Sequence, residues 1–140
     1  MKKFFILSML CLSSIWAQEQ KTQYWGYHLI LDCKACDMKT IQNKEHIKKF
    51  IATLVKRINM KAYGEPILEH FATHNPEAAG YSLVQLIETS DITAHFVDKN
   101  GDAYFDIFSC KHFDITTAEN VIQEFFHPQS MKKIFIERQA

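Results

Sequence analysis

The chain has 140 residues, of which 47% are hydrophobic and 23% are charged, with 16 basic and 16 acidic side chains. These values are typical of one compact domain, and they exclude a disordered tail, a collagen-like chain and a multidomain enzyme. A formal net charge of zero also gives no electrostatic support for binding the phosphate backbone of a nucleic acid.

The first seventeen residues have the pattern of a secretory signal peptide. Lys2 and Lys3 precede an apolar run over residues 4–12, and the segment ends at Ala17, after which we expect cleavage. The run is much shorter than the roughly 20 residues of a membrane-spanning helix, so no membrane partner is expected after processing. An uncleaved apolar N-terminus of a cytoplasmic protein is the alternative, which leaves localisation open. Residues 18–140 are expected to form a single domain.

The hydrophobic pattern of this domain predicts two amphipathic helices among about six mostly sequential strands. Asn43 is a plausible cap for the first helix and Asp114 for the second, which Pro128 ends. This order favours an α+β two-layer sandwich, with both helices packed on one face of an antiparallel sheet. The strands are predicted over residues 24–31, 63–71, 81–88, 92–97, 103–110 and 131–137.

One turn predicts the register of two of these strands. Asn100-Gly101 between two alternating segments indicates a two-residue type I′ hairpin. In that register His95 lies opposite Asp106 and Cys110 lies opposite Asp91, and all four side chains share the sheet face away from the helices. This face is either a functional site or a plain solvent-exposed surface with a His–Asp pair across two strands.

Several segments of the chain resemble the small prokaryotic S-adenosylmethionine decarboxylase family, from about Tyr24 to the end. The matching segments are Gly26-Tyr27-His28 with Asp32 and Cys36, Gly80-Tyr81-Ser82, residues 88–95 (Glu-Thr-Ser-Asp-Ile-Thr-Ala-His), and residues 106–110 (Asp-Ile-Phe-Ser-Cys). The spacing is the specific part, because Ser82, Ser90, His95 and Cys110 fall at the family's intervals of eight, five and fifteen residues. The resemblance implies the α+β sandwich fold and a decarboxylase that serves polyamine (spermidine) synthesis.

The resemblance also implies that the protein makes its own cofactor by cutting itself between Thr89 and Ser90. The Ser90 hydroxyl attacks the preceding carbonyl to form an ester, β-elimination leaves dehydroalanine, and hydrolysis gives a pyruvoyl group. This ketone forms a Schiff base with the substrate amine and accepts the electrons released as carbon dioxide leaves. By the same resemblance Ser82 holds the oxyanion, His95 removes the proton for elimination, and Cys110 reprotonates the product carbon.

The spacing of Ser90 and His95 favours a site shared between two chains. Five extended residues span roughly 16 Å, and an odd spacing puts the two side chains on opposite faces of an unbroken strand. We therefore expect His95 and Ser82 to reach Ser90 from a partner chain in a homodimer. The resemblance to the family implies the same arrangement.

The chain departs from the family pattern near the predicted cleavage site. Thr89 stands where the family has glutamate, Asp91 where it has histidine, and residues 96–99 where it has Thr-Trp-Pro-Glu. The missing tryptophan removes a flat surface for stacking the adenine of adenosylmethionine. Ornithine or arginine therefore stays open as an alternative substrate, with Asp91 or Asp106 holding its distal cation. A further alternative is a non-catalytic relative that binds an amine or a protein partner.

The cysteines leave one more alternative. Without residues 1–17 the chain keeps Cys33, Cys36 and Cys110, an odd number that cannot all pair within one chain. Cys33 and Cys36 have the spacing of half a zinc site, but the second half is missing, so no metal is expected. The remaining hypothesis is a small exported redox or metal-binding protein that uses these two cysteines.

Overall fold

The computed structural model describes residues 24–140, which form six strands and three helices. The predicted signal peptide over 1–17 lies outside the described residues. Within 24–140, no helix is both long enough and apolar enough to cross a membrane. In chain order the elements are β1 (Gly26–Lys34), α1 (Met38–Ile41), α2 (Lys44–Arg57), β2 (Ile67–Phe71), β3 (Gly80–Ile87), β4 (Ser90–Phe96), β5 (Ala103–Ser109), α3 (Ile115–Phe126) and β6 (Ser130–Arg138).

The strands form one antiparallel sheet in the order β2-β3-β4-β5-β1-β6. Strands β2 to β5 follow one another in sequence, whereas β1 is inserted between β5 and β6. The predicted sandwich is confirmed, because α2 and α3 cover one face of this sheet and pack against each other.

Local signals explain where the two long helices begin and end. The Asn43 side chain accepts a hydrogen bond from the backbone N–H of His46, and the Asp114 side chain accepts one from Thr117, so both predicted N-caps are confirmed. Helix α3 ends at His127, which has a left-handed φ of +46° directly before Pro128. The short helix α1, capped by Asp37, was not predicted, since four residues are too few to show a helical period.

The core lies between the helices and one face of the sheet. Its centre is a cluster of aromatic rings in which Phe126 of α3 packs at ring distances of 4.7 Å from Phe50 and 5.0 Å from Phe96. Phe105 of β5 joins them at 5.7 Å from Phe126. These four side chains are almost completely buried, which fixes the helices on this face.

The opposite side of the sheet, called the open face below, carries no helix. Polar and apolar side chains are mixed on it, and many of the apolar ones are exposed. Phe71 is 55% exposed and Leu86 is 50% exposed. The other large exposed hydrophobic side chains on this face are Ile67, Val84, Tyr104, Ile134 and Ile136. The sheet thus presents an extended, partly apolar surface to solvent.

The predicted register of the β4–β5 hairpin is wrong by two residues. His95 lies opposite Tyr104, and Asp106 lies opposite Thr93. The type I′ turn does not form, because Asn100 lacks the positive φ that it requires and only Gly101 has one, at +76°. Instead, the backbone N–H of Cys36 donates to the Gly101 carbonyl at 2.8 Å, a tertiary contact that holds a longer loop.

A shift of two residues leaves each side chain on its predicted face. Asp91, His95 and Asp106 do share the open face, whereas Cys110 follows the last residue of β5 and is not opposite Asp91. Strand β2 is shorter than predicted, since it begins at Ile67 rather than at residue 63. Gly64, with a φ of +67°, and Pro66, which lacks an N–H, interrupt the extended segment before it.

Candidate active site

The Thr89–Ser90 peptide lies at the end of a tight hairpin. Ile87 pairs with Ser90, so the loop between β3 and β4 consists of Glu88 and Thr89 alone. Two-residue loops match the twist of the strands when their residues have positive φ, and neither loop residue does. The distortion appears at Ser90, whose φ of +150° is a conformation that almost only glycine adopts without strain.

The carbonyl that precedes Ser90 is held by the neighbouring strand. The backbone N–H of Cys110 donates to the Thr89 carbonyl oxygen at 3.0 Å. The Thr89 side chain is fixed as well, because the buried Ser109 hydroxyl donates to its Oγ1 at 2.9 Å, and this Oγ1 contacts Met60 Sδ at 3.3 Å. An N–H aimed at this oxygen is the type of donor that stabilises negative charge when a carbonyl is attacked.

The Ser90 hydroxyl has a carboxylate beside it. Its Oγ donates to Oδ2 of Asp91 at 3.1 Å, and both side chains are partly buried. Asp91 lies on the open face between Leu86 of β3 and Phe108 of β5. The hydroxyl therefore meets a hydrogen-bond acceptor directly beside the peptide that it is expected to attack.

Ser82 and His95 form a second cluster on the open face. They are cross-strand partners on β3 and β4, and the Ser82 hydroxyl lies 2.9 Å from His95 Nδ1. Five residues separate His95 from Ser90 along β4, which amounts to roughly 16 Å. The structure thus brings Ser82 together with His95, and Ser90 together with Asp91 and Cys110, but it leaves the two clusters at opposite ends of one strand.

The remaining predicted site residue, Asp106, is already engaged. Its Oδ1 lies 2.9 Å from Nε2 of His28 on β1, and the two side chains are 42% and 19% exposed. A substrate cation at Asp106 would have to compete with this histidine. The same contact agrees with the structural role that a histidine on the first strand most often has.

A cavity opens on the sheet beside Phe108, the cross-strand neighbour of Asp91. Its volume is about 350 Å³, and Trp25, Phe108 and Arg138 line it together with the last two residues. The Trp25 and Phe108 ring centroids are 6.1 Å apart, and the Arg138 guanidinium lies 5.3 Å from the Phe108 ring. The cavity offers flat aromatic surface next to the strand partner of Asp91, although the tryptophan of the family pattern is missing.

Cys33 and Cys36 lie apart from both clusters. The two thiols are buried and do not form a disulfide bond. A hydrogen bond with Cys36, together with burial, raises the pKa of Cys33. In residues 24–140 no group of three His, Cys, Asp or Glu side chains is arranged to hold a metal ion. Cys110, in contrast, is exposed next to the Thr89–Ser90 peptide.

Three features of the site did not come from the sequence. The strained φ of Ser90 and the N–H of Cys110 are properties of the backbone, and no side-chain pattern reports them. The third feature, the Ser109 hydroxyl, had a signal, because a serine alternating with Ile107 and Phe105 on a core face is an unexpected polar residue.

Comparisons with known proteins identify the family of this chain. The family model described as S-adenosylmethionine decarboxylase matches residues 27–139. The S-adenosylmethionine decarboxylase proenzyme of Anoxybacillus flavithermus is 31% identical over 114 residues, which cover 81% of this chain and 86% of that protein. The proenzyme of the same name from Clostridium botulinum (strain Hall) is 30% identical over 93 residues, covering 66% and 75% of the two chains.

A solved structure has the same fold. The crystal structure of the adenosylmethionine decarboxylase from Aquifex aeolicus VF5 superposes with a TM-score of 0.70 at 23% sequence identity, and the match covers 84% of this chain and 93% of that one. The family match extends over most of the chain, and it includes Ser82, Ser90, His95 and Cys110. The family prediction is confirmed: this chain belongs to the S-adenosylmethionine decarboxylase family.

Proposed function

We propose that this chain is the proenzyme of a pyruvoyl-dependent S-adenosylmethionine decarboxylase, a carboxy-lyase that cuts itself between Thr89 and Ser90. The names of its relatives support this activity over the alternatives of a non-catalytic or a redox protein. The observation that carries the proposal is the strained Ser90 peptide, whose carbonyl is bound by the Cys110 N–H and whose hydroxyl faces a carboxylate.

The geometry supports a sequence of balanced steps. Ser90 Oγ attacks the Thr89 carbonyl carbon, and the Cys110 N–H stabilises the charge on its oxygen. The C–N bond then breaks, which leaves an ester to Ser90 and a free amine. In the shared site proposed below, His95 removes the Cα proton of Ser90, so that the ester oxygen leaves with Thr89 as a carboxylate and dehydroalanine remains. Water replaces the nitrogen, which leaves as ammonia, and residue 90 becomes a pyruvoyl group.

The residues around Ser90 fit such a group. A pyruvoyl ketone supplies an electron sink for decarboxylation of a substrate amine, which no protein side chain provides. Cys110 is exposed, and its backbone N–H contacts the Thr89 carbonyl, so we assign its thiol the return of a proton to the carbon that loses carbon dioxide. The exposed ring of Trp25, which lines the cavity beside Phe108, supports adenosylmethionine as the substrate, because it offers a face on which an adenine ring can stack.

We also propose a homodimer with two shared sites, formed through the open face. The exposed apolar side chains of this face support such an interface. The positions of the two clusters at opposite ends of β4 support a twofold-symmetric dimer. If the two open faces meet and the twofold axis passes over the middle of β4, the Ser82–His95 cluster of each chain lies over Ser90 of the other. His95 then acts on Ser90 of the partner chain, without having to span β4 within its own chain.

Intact mass spectrometry tests the self-cleavage. We expect two fragments from the purified protein, one ending at Thr89 and one beginning at residue 90, the second lighter by one ammonia than a serine-initiated fragment and shifted by borohydride. The Ser90→Ala variant is the control and should remain uncut. An uncut wild-type chain would contradict the proposal. Carbon dioxide release from adenosylmethionine, ornithine and arginine, measured side by side, then tests the substrate.

Mixing two inactive variants tests the shared site. His95→Ala and Ser90→Ala chains are co-expressed with different affinity tags, so that mixed dimers can be isolated. We expect the His95→Ala chain to be cut in mixed dimers, because the Ser90→Ala partner supplies its intact His95 and Ser82. The same chain expressed alone should stay uncut. If co-expression restores no cleavage, the site is not shared in this way.

A further inference from the structure

The carboxylate of Asp91 is placed to take part in the first step of self-cleavage. In the part of the chain that the structure describes, Asp91 is the hydrogen-bond acceptor of the Ser90 hydroxyl, with Oγ and Oδ2 3.1 Å apart. The two residues are adjacent in sequence, so this contact needs no partner chain. The nucleophile and its acceptor therefore belong to one cluster even before a dimer forms.

We infer that Asp91 is the general base for formation of the ester, taking the proton from Ser90 Oγ as this oxygen attacks the Thr89 carbonyl carbon. The inference rests on the self-cleavage proposed above and adds a catalytic residue to it. As the C–N bond breaks, the protonated carboxyl group returns this proton to the departing nitrogen of Ser90. No external acid, base or oxidant is required, and the carboxylate ends the step as it began.

Other groups on the open face are less suited to this step. Within one chain His95 lies roughly 16 Å along the strand. In the proposed dimer the His95 that reaches Ser90 contacts Ser82 and serves the later removal of the Cα proton. The carboxylate of Asp106, diagonal to Asp91, is bound to His28. The backbone N–H of Cys110 is a donor to the Thr89 oxygen, so it assists the electrophile and cannot accept a proton. A base at Asp91 and a donor at Cys110 thus act on the two reacting groups from different sides.

The surroundings of Asp91 leave its carboxylate accessible to this proton. Its direct cross-strand partners, Leu86 and Phe108, are uncharged. The titratable groups near it are Glu88 in the preceding loop, which is paired with Lys61, Asp106 in a diagonal position on β5, and Cys110 just after β5. His28 faces the same surface beyond Phe108. None of these places a cation directly against Asp91, so its carboxylate is not occupied by an ion pair in the described residues.

Cell-free synthesis followed by a time course of fragment formation tests the inference, because it observes each chain before it is cut. Asp91→Asn keeps the size of the side chain but cannot take up a proton, and we expect it to slow cleavage by about 10²-fold or more. Asp91→Glu should recover part of the rate. Asp32→Asn, a neutralised carboxylate on the same face of the sheet, is the matched control and should cleave within about threefold of the wild type.

Hydroxylamine identifies the step that Asp91 serves. A His95→Ala chain is expected to stop at the ester, which hydroxylamine cuts between residues 89 and 90. Adding Asp91→Asn to that variant should abolish the hydroxylamine-dependent fragments, because the ester no longer forms. Circular dichroism of the variants, with Ser90→Ala as the folded uncut reference, verifies that a slow rate does not come from unfolding.

The outcomes separate the inference from the proposed function. If the wild type cleaves and Asp91→Asn cleaves within about threefold of it, Asp91 is not the base, while self-cleavage stands. The same conclusion holds if the double variant still gives hydroxylamine-dependent fragments at the rate of His95→Ala alone. If the wild type itself stays uncut, the proposed function fails and the inference fails with it.

Discussion

The strained backbone of Ser90 has a measurable thermodynamic consequence. A φ of +150° costs a residue other than glycine about 1–3 kcal/mol. Ser90→Gly and Ser90→Ala both remove the nucleophile, so neither chain can be cut and the intact proteins can be compared. Glycine relieves the strain but raises the entropy of the unfolded chain, at a cost of about 0.5–1 kcal/mol.

The balance favours glycine at this position. We expect Ser90→Gly to be more stable than Ser90→Ala by about 0.5–2 kcal/mol, the strain less the entropy. In a domain of this size the difference amounts to a Tm that is roughly 2–10 °C higher. Urea denaturation and thermal melting, each at one fixed protein concentration because of the proposed dimer, measure it.

Thr93 supplies the matched control for this comparison. It lies on the same strand, is similarly half-buried, and has no positive φ. At Thr93, with both substitutions made in the Ser90→Ala chain so that it stays uncut, the order should be reversed, with glycine less stable than alanine by about 0.5–1 kcal/mol. If alanine is the more stable residue at both positions, Ser90 stores no strain, and the argument that its backbone is prepared for cleavage is wrong.

Three further predictions follow from the contacts of single residues. Cys110→Ala should still be cut, because the N–H and not the thiol binds the Thr89 carbonyl, but should lose about 10²-fold or more of carbon dioxide release; mass spectrometry and turnover measure the two effects separately. Phe126→Ala should lower the free energy of unfolding by about 3–5 kcal/mol in urea denaturation, because a fully buried ring is removed. The backbone N–H of Thr117 lowers the pKa of Asp114 from its usual 3.8. This carboxylate therefore stabilises the fold above that pH, and the contribution is lost as the pH falls through the lowered pKa. Asp114→Asn should show a smaller loss of Tm than the wild type on acidification from about pH 5 to 2.

The sequence predicted well those features that depend on neighbouring residues. The two long helices and their caps at Asn43 and Asp114 are local, since a side chain binds an N–H three residues away. Face assignments along the strands were also correct, because alternation needs only the period of the strand. The fold class followed from these elements, because two amphipathic helices among mostly sequential strands favour a two-layer sandwich in which both apolar stripes pack on one face of the sheet.

Tertiary contacts decided the features that the sequence predicted wrongly or missed. The predicted register of β4 and β5 was wrong because the Gly101 carbonyl accepts a hydrogen bond from Cys36, a residue of the segment after β1. The pairing of Ser82 with His95 depends on the two-residue loop between β3 and β4. The residue types of this loop, Glu88 and Thr89, do not predict such a tight turn. The predicted site residues came from spacing that resembles a family, and no local pattern would have distinguished Ser90 from Ser109.

The topology explains how the fold can tolerate a break at the proposed position. A cut after Thr89 opens the turn between β3 and β4, and every strand keeps the backbone hydrogen bonds to its neighbours. The fragment before the cut contributes β1, which lies between β5 and β6 of the fragment after it, and β3 remains paired with β4. Separation of the fragments would therefore require breaking three complete strand pairings together with the contacts between α2 and α3. The sheet thus holds the new terminus at residue 90 beside Asp91 and Cys110, where the substrate must meet it.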